Sequence, residues 1–146
     1  MSTTTEKPAG FTMPPLSAEH QATAKVAARL VELISAGESP RAIAELYADN
    51  ARHVEVVGGP GCDRICAGRD ELHRRAEQFA ASITVHGRSC GTPVVNGDQF
   101  LLPLTLDATF NGGPMSGQRM NMVETALYTV QHGKITEAKF FYSMGC

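Results

Sequence analysis

A histidine and a glutamate stand two residues apart in residues 52–57, whose alternation of polar and β-branched residues predicts a strand. Successive side chains of a strand point to opposite faces, so His53 and Glu55 share one face while Val54 and Val56 share the other. In an apolar cavity a carboxylate loses hydration, its pKa rises, and it can take a proton from a carbon beside a carbonyl or activate a water. His53 could then orient Glu55 or donate to a developing oxyanion. The alternation alone favours the valines in the core and Glu55 in solvent, so both interpretations stay open.

Other chemistry is sparse in the sequence. No phosphate-binding loop, serine nucleophile elbow or Cys–His arrangement is recognisable. Four cysteines are present, of which Cys62 and Cys66 form a C-x₃-C pair, but no histidine stands at the spacing of a zinc site. We therefore expect four free thiols, no metal and no cofactor, with a redox or metal role for Cys62 and Cys66 as the alternative.

Length and charge narrow the function classes. A chain of 146 residues fits one domain, and a formal net charge of -2 gives no electrostatic reason to expect nucleic acid or an anionic membrane as partner. No apolar run approaches the ~20 residues that span a bilayer. Residues 1–17 are polar, contain prolines and lack the pattern of a signal peptide. We expect a disordered tail over 1–17, a single domain over 18–146 and a cytoplasmic setting.

Helical patterns occupy the first half of the chain. Ser17 can cap a helix over about residues 18–36, and Ser39-Pro40 begins a short second helix that runs through Tyr47. A glycine-rich loop over 58–68 follows the strand at 52–57. The third helix covers 69–83, with its apolar stripe inward and a polar face in water that includes Arg75.

Strand patterns occupy the second half. We expect strands at 85–95, 100–110, 119–130 and 135–143, with a tight turn at Asn96-Gly97. Helices segregated from strands predict an α+β fold, with the helices on one face of a curved antiparallel sheet. We expect apolar residues of neighbouring strands on both faces of this sheet: Leu102, Leu104 and Leu106 on one; Met122, Ala126, Tyr128 and Val130 on the other. Because helices cover only one face, a homodimer through the outer face is expected.

Three short motifs carry a resemblance to a known superfamily. They are Tyr47-Ala48-Asp49-Asn50-Ala51 before the first strand, Gly68-Arg69-Asp70-Glu71-Leu72 at the third helix, and Tyr128 followed by His132-Gly133-Lys134-Ile135. In this order and spacing the chain resembles ketosteroid isomerases and SnoaL-like polyketide cyclases of the nuclear transport factor 2-like superfamily, from about residue 26 to 143. The resemblance implies a cone-shaped antiparallel sheet wrapped by three helices around a deep apolar pocket, usually in a dimer.

The resemblance also assigns site residues. The general base of the isomerases stands eight residues beyond the motif tyrosine, which gives Glu55 counted from Tyr47. Counting back from Gly133-Lys134-Ile135, the second acid falls on Thr125, next to Glu124, and the oxyanion tyrosine of the first helix falls on Leu30. Both donors of the isomerases are thus absent in their usual form. The catalytic residues expected are Glu55 and His53, and those expected to contact substrate are Leu30, Tyr47, Phe79, Leu102, Leu104, Leu106, Thr125, Phe140 and Tyr142.

Three functions are compatible with these residues, because the fold hosts many reactions. The first is cofactor-independent acid/base catalysis on a small apolar carbonyl compound by an isomerase, cyclase or dehydratase. The second is non-catalytic binding of a small hydrophobic molecule. The third is epoxide hydrolase-like addition of water, which would require an arginine beside the carboxylate, with Arg119 as the candidate. A buried Glu55 favours the first function and an exposed Glu55 favours the second.

Overall fold

The computed structural model describes residues 5–6, 9–59 and 63–143. Three α-helices lie mostly in the first half of the chain: α1 (Ala18–Ser35), α2 (Ser39–Leu46) and α3 (Arg69–Ala81). The strands are β1 (Tyr47–Val54), β2 (Ile65–Ala67), β3 (Ile83–Cys90), β4 (Val94–Asn96), β5 (Gln99–Phe110), β6 (Arg119–Gln131) and β7 (Lys134–Phe141).

Local chemistry explains where the first two helices begin and end. The hydroxyl of Ser17 accepts a hydrogen bond from the His20 backbone N–H at 3.0 Å, which caps α1. Gly37 ends that helix with a left-handed φ of +78°, where its N–H donates to the Ile34 carbonyl at 2.9 Å. Pro40 lies in the first turn of α2, where its missing N–H removes no helical hydrogen bond.

The strands form one curved, mixed sheet in the order β2-β1-β7-β6-β5-β3, and β4 pairs with β5 beside that path. The long pairings β5–β6 and β6–β7 are antiparallel, as the sequence predicted. β1, however, pairs with β7 in parallel, so the expectation of a wholly antiparallel sheet needs this correction. The α+β class and the three helices packed on a curved sheet are confirmed.

Several boundaries differ from the sequence prediction, and two of them concern the neighbours of β1. β1 begins at Tyr47 instead of residue 52, because the parallel partner β7 supplies hydrogen bonds to it from Ile135 onward. Residues 65–67, predicted as loop, form the short strand β2, which pairs with β1 at Val54 and His53. Together these pairings place β1 between two strands, so its inner side chains have a fixed position.

The core lies between the helices and the inner face of the sheet. The fully buried large side chains are Phe100, Leu30, Leu33, Leu72, Leu102, Ile135 and Thr23. Leu102 pairs with Ala126 and Leu106 pairs with Met122, so the two apolar sets assigned to opposite faces share one inner face. That premise of the dimer expectation was wrong. The outer face carries a different apolar set, in which Leu101, Val123 and Phe141 are 43%, 61% and 47% exposed.

Candidate functional site

A cavity of about 560 Å³ opens between the three helices and the inner face of the sheet. Apolar side chains from α1, α2 and α3 form one wall, and β1, β5, β6 and β7 form the other. Ionisable groups interrupt the apolar lining, and they outnumber the two, His53 and Glu55, that were expected there. These groups are His53, Glu55, Asp63, Arg75, Arg88 and Glu124.

Two of the carboxyl groups that line this cavity come from different parts of the sheet. Glu55 follows the end of β1, and burial raises its pKa, while a hydrogen bond donated by the Tyr142 hydroxyl at 3.1 Å partly opposes that rise. Glu124 lies on β6, where burial first and the nearby charge of Glu55 second raise its pKa to about 7. Among the described residues Glu124 has no hydrogen-bond partner. At neutral pH the pair can therefore hold one proton and one charge, with the charge favoured on Glu55.

A half-buried histidine lines the same cavity. The Nε2 atom of His53 lies 2.9 Å from the hydroxyl of Tyr47, and the ring packs edge-to-face on Phe140 with centroids 5.0 Å apart. Burial, and secondarily the charge of Arg75, lower the pKa of His53 to about 4. The imidazole is thus neutral at physiological pH and can act as a hydrogen-bond donor or acceptor, but not as a cation.

Two further hydroxyls reach the cavity. Tyr142 is bonded to Glu55 as described, and its own pKa is raised by burial and by that carboxylate. Tyr128 is only 2% exposed, and its ring stacks on Phe100 with centroids 4.7 Å apart. Its hydroxyl has no hydrogen-bond partner in the described part of the chain, and burial raises its pKa well above the usual range. It therefore remains a protonated donor on the cavity wall.

Two arginines also line the cavity. Arg75 was expected to face water, but its side chain turns from α3 toward the cavity while its Nε donates to Glu71 Oε1 at 2.9 Å. Arg88 lies on β3 over Gly37, where a Cβ would come within 3.2 Å of its Cζ. Arg119, the arginine considered for water addition, lies elsewhere and forms two hydrogen bonds to Asp107 at 2.9 and 2.8 Å.

Most of the residues selected from the sequence meet in this one cavity. Those on its wall are Glu55, His53, Leu30, Tyr47, Phe79, Leu104, Leu106, Phe140 and Tyr142. Leu102 and Thr125 do not line it. Leu102 is fully buried in the core behind the wall. Thr125 lies on the opposite face of β6 from Glu124, paired with Pro103 and Phe141. The residue selected by the count thus faces away from the cavity, and its neighbour Glu124 lines it.

Three cavity residues were missed or misjudged in the sequence. Glu124 shares a strand face with Met122, Ala126, Tyr128 and Val130, and a charge among these apolar residues is the signal that could have identified it. Tyr128 was grouped with the apolar residues of that face, and its hydroxyl was given no role. Arg75 was assigned to water because charged helix residues usually are. No local pattern distinguishes Tyr128 and Arg75 from ordinary core or surface residues.

The described residues contain neither a cluster of metal-binding side chains nor a helix that could span a membrane. Within residues 5–6, 9–59 and 63–143, no group of three or more histidine, cysteine, aspartate or glutamate side chains could hold a metal ion. Cys66 is buried and Cys90 is half-buried, whereas Cys62 and Cys146 lie outside the described residues. None of the helices described is long and apolar enough to span a membrane.

Comparison with known proteins matches both the sequence and the fold. The SnoaL-like domain family matches residues 21–142. A solved protein from Mesorhizobium loti, described as a SnoaL-like polyketide cyclase with the added words carbohydrate phosphatase, is 35% identical and superposes with a TM-score of 0.73. The match covers 82% of this chain and 97% of that one. No curated protein matches the chain.

More distant solved structures share the fold alone. A Catenulispora acidiphila protein with a ketosteroid isomerase-like fold, solved with trimethylamine, is 18% identical with a TM-score of 0.63, covering 82% of this chain and 86% of its own. An LEH-like epoxide hydrolase from M. tuberculosis is 12% identical with a TM-score of 0.64, covering 86% and 85%. The same architecture thus holds proteins with different names and reactions.

Proposed function

The chain belongs to the SnoaL-like domain family, and on that premise we propose that it is a cofactor-independent acid/base enzyme acting on a small apolar carbonyl compound. The single observation that carries the proposal is the pairing of two carboxyl groups, Glu55 and Glu124, inside one cavity with no basic side chain bonded to either in the described part of the chain. Two carboxyls whose environments push their pKa values upward by different amounts can divide into a base and an acid.

In the proposed reaction Glu55 is the base. Its hydrogen bond from Tyr142 favours the ionised form, while burial keeps the carboxylate basic enough to take a proton from a carbon beside the substrate carbonyl. The electron pair of the broken C–H bond moves to the carbonyl oxygen and forms an enolate. Glu55 then returns the proton to a different carbon, which completes an isomerisation, or the enolate carbon attacks a second carbonyl in a cyclisation.

The enolate oxygen needs donors that stay neutral. Protonated Glu124 and the hydroxyl of Tyr128 both face the cavity without partners in the described residues, so each can donate a hydrogen bond there. Donors fixed in a site with little water stabilise a developing charge without having to reorganise. They occupy other positions than the donors expected from the resemblance, where Leu30 and Thr125 stand.

Replacing Glu55 by glutamine tests the proposal. Glu55→Gln keeps the shape of the side chain and removes the base, so turnover should fall by about 10²–10⁴-fold while binding of the substrate changes little. Wild type and variant are assayed on a panel of small enones, β-keto esters and epoxides. Arg119→Gln, which alters a charged residue outside the cavity, is the matched control and should retain wild-type turnover.

Binding without chemistry is the second candidate. It is favoured by the volume of about 560 Å³, which is within the range of small-molecule pockets, and by the bound trimethylamine of the Catenulispora acidiphila protein. If Glu55→Gln turned over every active substrate at the wild-type rate, Glu55 would not be the base and the binding function would take precedence. Water addition to an epoxide has less support, because neither carboxyl has its pKa lowered by an arginine.

A further inference from the structure

The hydrogen bond between Tyr47 and His53 has a direction that can be worked out. Tyr47 is 3% exposed at the beginning of β1, and its hydroxyl lies 2.9 Å from Nε2 of His53. The two rings meet edge-to-face with centroids 5.5 Å apart, and Phe140 packs on the imidazole at 5.0 Å. Two aromatic side chains therefore hold the imidazole in one orientation.

The proton count determines which atom donates. A neutral imidazole carries one N–H, on either Nδ1 or Nε2. If Nε2 carried it and donated to the Tyr47 oxygen, the Tyr47 proton would have no acceptor among the described residues, and leaving a buried donor unpaired is destabilising. If Tyr47 donates to Nε2, its proton is bonded and the imidazole proton stands on Nδ1. Burial raises the pKa of Tyr47, so the phenol keeps its proton.

The other ring nitrogen is left without a partner and is accessible. Nδ1 of His53 has no hydrogen-bond partner in the described part of the chain. Every side-chain nitrogen or oxygen there that is shielded from solvent does have a partner. Nδ1 must therefore be accessible, and His53 lies on the cavity wall. An N–H at this atom can reach a ligand in the cavity.

We propose that Tyr47 fixes His53 in the Nδ1–H tautomer, so that His53 presents a neutral N–H donor to the substrate oxygen. The catalytic part of this proposal rests on the proposed function. Tyr47 is then a positioning residue, and His53 touches the oxygen on which charge develops when Glu55 removes the carbon-bound proton. No proton leaves His53 in this step, because the N–H only donates a hydrogen bond and Glu55 carries the proton to the other carbon.

Nitrogen NMR on protein labelled with ¹⁵N-histidine tests the tautomer directly. The chain has five histidines, so the signals of His53 are identified by their absence from a His53→Gln spectrum. In wild type at neutral pH we expect a protonated Nδ1 and a bare Nε2. In Tyr47→Phe the preference should be lost, with Nε2–H populated comparably or more. Thr23→Val removes a buried hydroxyl outside the cavity and should leave the His53 signals unchanged.

Kinetics of the same variants test the catalytic part. On the best substrate of the panel, Tyr47→Phe should lower kcat about tenfold with KM nearly unchanged, because one oriented hydrogen bond is lost only in the transition state. A bare Nδ1 in wild type would overturn the proposal whatever the activity. An intact Nδ1–H with undiminished kcat in Tyr47→Phe would overturn its catalytic part. If Glu55→Gln left turnover unchanged, or if no compound of the panel were a substrate, the proposed function would be contradicted. The tautomer of His53 would still be decided by the NMR spectra alone.

Discussion

The stability of the protein should depend on pH through two cavity residues that act in opposite directions. Glu124 has a pKa of about 7 in the folded protein against 4.5 for an ordinary glutamate. His53 has a pKa of about 4 in the folded protein against 6.5 for an ordinary histidine. One pKa unit is worth about 1.4 kcal/mol, so each group changes the free energy of unfolding by up to about 3 kcal/mol across its own window.

The two signs follow from proton counts. Between pH 4.5 and 7 the unfolded chain loses the Glu124 proton while the folded chain keeps it, so folding is destabilised as the pH rises. Between pH 6.5 and 4 the unfolded chain binds a proton at His53 and the folded chain does not, so folding is destabilised as the pH falls. In wild type the two slopes nearly cancel between pH 4.5 and 6.5.

Single substitutions should reveal each slope. Relative to wild type, the free energy of unfolding of Glu124→Gln should rise by up to about 3 kcal/mol as the pH increases from 4 to 8. That of His53→Gln should rise by a similar amount as the pH decreases from 8 to 4. Urea titrations at half-unit pH steps, followed by far-ultraviolet circular dichroism, measure both differences. The exposed ion pairs are the same in wild type and variants, so their contribution cancels when the two free energies of unfolding are subtracted. A difference curve that stays flat from pH 4 to pH 8 for either variant would refute the assigned environment of that residue.

Three further predictions concern assembly, thiols and packing. We expect a two-fold dimer through the outer sheet face, and Val123→Lys on that face should give a monomer mass by light scattering; a monomeric wild type would contradict this. Reduction should leave the melting temperature nearly unchanged, because the sequence predicts no stabilising disulfide, and a loss of several kcal/mol would reveal one. Gly91→Ala should cost about 1–3 kcal/mol in urea unfolding, because its Cβ would lie 2.8 Å from the Pro103 ring, whereas unchanged stability would mean that the ring yields.

The fold was predictable because several weak patterns agreed. Caps, apolar stripes and alternation identified the helices and the long strands, and the segregation of the two identified the class. The parallel pairing of β1 with β7 was not predictable from these patterns, since it joins segments far apart in sequence. It also decided the face of Glu55, because alternation says which residues share a face but not which face lies inside.

The candidate site was predictable at β1 and less so at β6. The count from Tyr47 to Glu55 held, and both residues line the cavity. The count back from the last hairpin led to Thr125, which faces away from the cavity, and such a count holds only where bulges fall at the same places. A register shift interrupts the β6–β7 pairing between Thr129 and Val130, and one residue of difference exchanges the two faces of a strand.

The parallel pairing of β1 with β7 has a consequence for the order in which the protein can fold. Tyr142 lies 87 positions after Glu55, and β7 provides the neighbour that completes β1. A chain synthesised from its N-terminus exposes β1 early and must wait for nearly the whole sequence before that edge is covered. Pairings between such distant segments form slowly, since a long loop must close first. A nascent chain halted before β7 would hold Glu55 in water, with an ordinary acidity and no cavity around it.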